Sequence, residues 1–164
     1  MQRQATDAAD RRQMARAVAY LATSRTSEHY PLFTVDEDRV ARATATGLLM
    51  DRRDTEVLAH RHILSPDPRL LLKESDELVA VVRDIYVTWA EERGWGKLVY
   101  AGAIHRNTHV MHAHVLIAGQ TGTGRPLTLW PDDYKALKRI ASAAERERSA
   151  AGKERRRVLR GLVG

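Results

Sequence analysis

Four of the seven histidines lie close together, at positions 105, 109, 112 and 114, in a run written His-x-Asn-x-x-x-Met-His-x-His from His105 to His114. Side chains alternate faces along a strand, so His112 and His114 point the same way with Cα atoms about 6.5–7 Å apart. His105 ends the preceding strand, and a hairpin brings it beside them. Three neutral imidazoles converging on one divalent ion leave other coordination positions open, as a metal that polarises a phosphate oxygen requires. One strand histidine alone is ordinarily structural; three at these offsets around a turn read as a metal site. His109 falls in the turn and reads as surface or substrate-facing. A second pair, His60 and His62, shares one strand face. If that strand neighbours the hairpin, one of the pair approaches the metal or lines a nucleic-acid groove; a partly exposed structural pair is the simpler reading.

The elements that must position these residues follow from periodicity. Residues 8–22 read as a helix with Met14, Ala17, Val18 and Leu21 on one stripe. Residues 35–50 read as a second helix, with Thr34 and Glu37 at capping-box spacing. Residues 56–64 read as a strand closed by Ser65-Pro66-Asp67-Pro68, where two prolines forbid regular structure. Leu78, Val81, Val82, Ile85 and Trp89 line one face of a helix over 75–93, stopped by Gly94. Residues 97–105 and 111–118 read as paired strands, 119–126 as a turn, and 131–148 as a last helix begun by Pro131. This order predicts an α+β fold: an antiparallel sheet carrying the metal-site hairpin, with helices packed mainly on one face and the other left for binding. Residues 1–148 form one domain in this reading, and 149–164 a basic tail with Lys153, Arg155, Arg156, Arg157 and Arg160.

The composition narrows the chemistry. The chain has 164 residues, no cysteine and a formal charge of +6. Thiolate metal sites and cysteine nucleophiles are excluded, and a polyanionic partner such as nucleic acid is favoured. No apolar run is long enough to span a bilayer, and the polar N-terminus reads as no secretory signal. The expectation is a cytoplasmic protein without membrane insertion.

The run HRNTHVMHAHVLIAG from His105 resembles the third motif of relaxases, the mobilisation nucleases of the HUH endonuclease superfamily, in which His-x-Asp/Asn-x-x-x-Pro-His-x-His leads into an apolar strand. Asn107 takes the Asp/Asn place; Met111 stands where the family has proline. RHILSPDP at 61–68 is similar to the second motif, and ARAVAYLATSR at 15–25 to the helix that carries the nucleophilic tyrosine. LWPDDYKALKRIA at 129–141 resembles the helix after the metal strand. The resemblance implies strand-specific DNA nicking at a plasmid or mobile-element transfer origin, through a 5′-phosphotyrosine and a 3′-hydroxyl. It implies Mg²⁺ or Mn²⁺ on His105, His112 and His114, single-stranded DNA as substrate, and accessory relaxosome proteins as possible partners.

Among five tyrosines, Tyr20 is the candidate nucleophile. It lies off the apolar stripe, over Gln13 and Arg16, and a cation one turn away favours the phenolate. Tyr30 is a weaker substitute or a second tyrosine. Tyr86 and Tyr100 read as structural. Tyr134, in Tyr134-x-x-x-Lys138, is the rival, because replication initiators and single-strand transposases of the superfamily place their nucleophile after the metal motif. Arg16, Arg61, Ser65, Arg106, Asn107 and Arg125 are the candidate DNA contacts. Two non-relaxase readings also stand: a DNA-binding remnant without catalysis, and a metal hydrolase using water.

Overall fold

The chain is described by a computed structural model covering residues 2–23, 29–51, 57–67, 74–106 and 110–161, with side chains from residue 8 to 151 except 149. Asn107, His109, Pro68 and the side chains of the basic tail lie outside the described residues. The elements run α1 (Gln2–Leu21), β1 (Leu32–Thr34), α2 (Arg42–Met50), β2 (Ala59–Leu64), α3 (Ser75–Arg93), β3 (Tyr100–His105), β4 (His112–Ala118) and α4 (Pro131–Gly161). The four strands form one antiparallel sheet in the order β1-β3-β4-β2. The chain is thus α+β, as expected.

The helices are not gathered on one face. Met14, Val18 and Leu21 of α1 and Ala45 and Leu49 of α2 pack on Ala101, Ala103, Leu116 and Ala118. The α3 stripe, with Leu137 and Ile140 of α4, packs on Tyr100, Ile104, Ala113, Val115 and Ile117 on the other side. The reason is visible in β4. Its run from Ala113 to Ala118 is apolar at every position except His114, which is the pattern of a strand buried on both faces. A sheet with one wet face would alternate. Among the described residues, both faces of the sheet are therefore covered by helices, and neither is left wholly bare.

Two further differences concern the N-terminal half. The second helix begins at Arg42, not near 35, because Thr34 Oγ1 accepts hydrogen bonds from the Asp36 and Glu37 amides in a turn. The Thr-x-x-Glu spacing serves that turn, not a capping box. Leu32–Thr34 is a short edge strand that pairs with β3, so α2 starts only after the chain leaves the sheet. The capping box belongs to α3 instead, between Glu74 and Glu77, and Gly94 closes that helix in the left-handed region at φ 64°. The last helix continues past 148 to Gly161. Trp89 is fully buried on α3 and its indole N–H donates to the Asp133 carbonyl, tying α3 to the start of α4.

Candidate metal centre

The sheet register assembles the histidines. His105 pairs with His112 and Ala103 with His114 across β3 and β4, so the three imidazoles share the α1/α2 face at one end of the hairpin. One ligand atom from each lies within 4.8 Å of the others. A point no more than about 2.8 Å from all three then exists, near the roughly 2.0–2.1 Å of a metal–imidazole bond.

Hydrogen bonds and burial set the state of the buried rings. His105 is 4% exposed, and its Nε2–H donates to the Leu21 carbonyl at 2.7 Å. Its lone pair therefore sits on Nδ1. His112 donates from Nδ1 to the Val110 carbonyl at 3.2 Å. Such carbonyl partners are the usual outer shell of a metal-binding histidine. His114 is 7% exposed, and its buried Nδ1 has no hydrogen-bond partner among the described residues. Burial lowers the His114 pKa to about 4, with His105, His112 and Arg61 adding in that order. Burial also lowers His105, against the raising effect of the Leu21 carbonyl. Two imidazoles that burial keeps neutral, His105 and His114, and an orphaned buried nitrogen are the chemistry of a ligand set. The residues fit a divalent ion. The C-terminal end of α1, which supplies the Leu21 carbonyl, also presents its partial negative charge to the site.

The remaining candidates divide by face. Tyr20 sits on the last turn of α1, 51% exposed, with the Arg61 guanidinium over its ring at 5.1 Å. Arg61 and Ile63 point to the histidine face of β2, and Ile63 pairs with His114. Continued two residues, that register sets the exposed Ser65 opposite His112. Arg16 is exposed one turn before Tyr20. Arg106 is turned to the opposite face, where it bonds Ser75 Oγ and pairs with Glu74. Its position one residue after His105 reverses its direction. Arg125 lies in the turn after β4, bonded to Thr121, at the far end of the sheet from His112.

The second histidine pair also faces away, although β2 does neighbour β4. His62 Nδ1 meets the Tyr86 hydroxyl at 3.1 Å, and His60 Nε2 donates to the Leu127 carbonyl. Tyr134 packs on His62 at 5.9 Å between ring centroids, across the sheet from the three-histidine cluster.

Tyr30 lies closer to the cluster than its loop position in the sequence implies. Its ring stacks on His105 at 4.4 Å and 18°. The signal lies in the register: Leu32 pairs with Ala103, so two residues back Tyr30 stands opposite His105. Seeing it requires the three-residue strand β1. Comparison with known protein families, with curated proteins and with solved structures finds no match to this chain.

Proposed function

We propose that this chain is a metal-dependent DNA-nicking enzyme of the relaxase kind, acting on single-stranded DNA at a transfer origin. The observation that carries the reading is the convergence of His105, His112 and His114 at the end of the sheet reached by the last turn of α1, the turn that bears Tyr20.

The Tyr20 hydroxyl attacks the scissile phosphorus and gives up its proton. The bond from phosphorus to the 3′ oxygen breaks, and that oxygen takes a proton to become a 3′-hydroxyl. The 5′ side stays on the tyrosine as a phosphodiester, so the step is reversible. A divalent ion on the histidines supplies Lewis-acid polarisation of the phosphate. The Arg61 guanidinium lies over the Tyr20 ring and, in this reading, meets the phosphate charge. An all-imidazole donor set holds Mn²⁺ better than Mg²⁺, which prefers oxygen ligands and keeps its waters. Among the described residues no helix is long and apolar enough to cross a membrane. Accessory proteins of a transfer complex belong to this reading as partners.

The test uses a labelled pool of randomised single-stranded oligonucleotides with Mn²⁺. A covalent protein–DNA adduct on a denaturing gel is expected from the parent chain and from Tyr134→Phe, and not from Tyr20→Phe. Loss only in Tyr134→Phe would move the chain to the replication-initiator or transposase class. Cleavage without adduct would mean a water nucleophile. Binding without cleavage would mean a non-catalytic DNA module.

A further inference from the structure

The His105 imidazole takes part in two ring stacks. Tyr30 lies 4.4 Å from its centroid at 18°, and His114 lies 4.3 Å away at 25°. Its edge is held by the hydrogen bond from Nε2 to the Leu21 carbonyl. One such bond fixes where Nε2 points but leaves the ring able to swing about that direction. A ring stacked on its face removes that swing. Tyr30 is itself held to the end of α1, because its amide donates to the Ala22 carbonyl at 3.0 Å. Leu21 and Ala22 therefore act together: one carbonyl orients His105 directly, and the next anchors the backbone of the residue stacked on it.

Position 30 also forms a wall of the site. Across the sheet, the row on the histidine face reads Tyr30, His105, His112 and then Ser65, by continuation of the paired registers. Tyr30 is half-buried and walls the β1 side. Ser65 and Ile63 are exposed on the β2 side.

We propose that Tyr30 is a positioning residue of the metal site, whose stacked ring fixes the His105 imidazole for a divalent cation and walls the β1 side of the site. The proposal rests on the metal site and not on the nicking reaction, so it is tested without DNA. A ligand fixed before binding loses less freedom when the ion arrives, and loss of such outer support weakens metal sites by about 10–100-fold.

Mn²⁺ is titrated calorimetrically into the full chain and into Tyr30→Phe, Tyr30→Leu and Tyr30→Ala. The visible spectrum with Co²⁺ reports ligand geometry. Tyr30→Phe is expected to bind Mn²⁺ within about twofold of the parent, because the stack survives. Tyr30→Leu and Tyr30→Ala are expected to bind about 10-fold or more weakly, with an altered Co²⁺ spectrum. Leucine keeps most of the volume, so Tyr30→Leu answers the question if Tyr30→Ala does not fold. Parent-like binding by Tyr30→Leu would overturn the proposal, as would a loss in Tyr30→Phe as large as in Tyr30→Leu. No Mn²⁺ binding by the parent chain would remove the metal centre itself. Intact Mn²⁺ binding with no DNA adduct would instead sink the nicking reaction and leave this proposal standing.

Discussion

The Arg61 guanidinium lies over the Tyr20 ring, 5.1 Å from its centroid. The two residues come from β2 and from the last turn of α1, and they meet on the flank of the histidine face, where both side chains are exposed. The same cation helps to hold His114 neutral, as the last of four causes. Arg61 thus touches the proposed nucleophile and acts electrostatically on a proposed metal ligand. In the proposed reaction it is the residue that would meet the scissile phosphate.

Replacing Arg61 by Met is expected to weaken single-stranded DNA binding and to reduce the slope of log affinity against log salt by about 0.7, the value for one lost phosphate contact on a single strand. Arg125→Met is expected to leave binding at low salt nearly unchanged, since Arg125 lies at the other end of the sheet. Fluorescence anisotropy over a salt series measures both. Equal slopes for the parent and Arg61→Met would remove Arg61 from the phosphate path.

His112 is the half-buried member of the three-histidine cluster, so its loss costs the fold least. Mn²⁺ at about 100 times its Kd should stabilise the parent chain by about 2.7 kcal/mol, through binding to the folded state alone. His112→Ala is expected to melt like the parent in EDTA and to lose most of the Mn²⁺-dependent rise in Tm. Thermal melts with and without Mn²⁺ read this. A full Mn²⁺ response in His112→Ala would take His112 out of the ligand set.

The hairpin of His105 and His112, the α3 stripe and the turn at Gly94 are all legible in the sequence, because period, spacing and a terminating glycine are local signals. The two-sided burial of the sheet is written there as well, in the unbroken apolar run from Val115 through Ala118 on β4; the expectation of one open face overlooks that run. What local pattern does not give is the direction of a single side chain. Arg106 turns away because it is one residue past His105, and Tyr30 turns in because a three-residue strand sets its register. The face of Tyr134 follows from where α4 packs, which no spacing in the sequence encodes.

Burial holds the His62 imidazole down at about 4, and His60 adds to the effect. The unfolded chain takes a proton near pH 6.5 that the folded chain refuses until about pH 4. The stability held by this site is therefore whole above about pH 7 and is lost as the pH falls from 6.5 towards 4, by about 3 kcal/mol in all. His114 acts in the same direction. Urea denaturation of the metal-free chain at pH 7.5 and pH 5 should show lower stability at pH 5, and His62→Gln should narrow the difference while leaving that from His114. An unchanged difference in His62→Gln would mean that His62 does not titrate as a buried neutral group.

Gly102 is the position at which the core and the three-histidine cluster meet. It lies on β3 between Phe33 and the backbone of β4, and a Cβ there would come within 2.6 Å of Phe33 Cζ and 2.9 Å of the His114 carbonyl oxygen. Phe33 is fully buried in the α3/α4 core, so its ring has little room to move. Gly102→Ala is expected to destabilise the chain by about 1–3 kcal/mol, the usual cost of overpacking. Because the second clash is with the backbone of His114, Mn²⁺ affinity should fall along with stability. The control is Phe33→Leu, Gly102→Ala, which shortens the side chain that the new methyl meets. It should recover part of the stability and leave the loss of Mn²⁺ affinity, since the His114 carbonyl is still crowded. Full recovery of both in the double variant would show that Phe33 alone, and not the β4 backbone, requires glycine at 102.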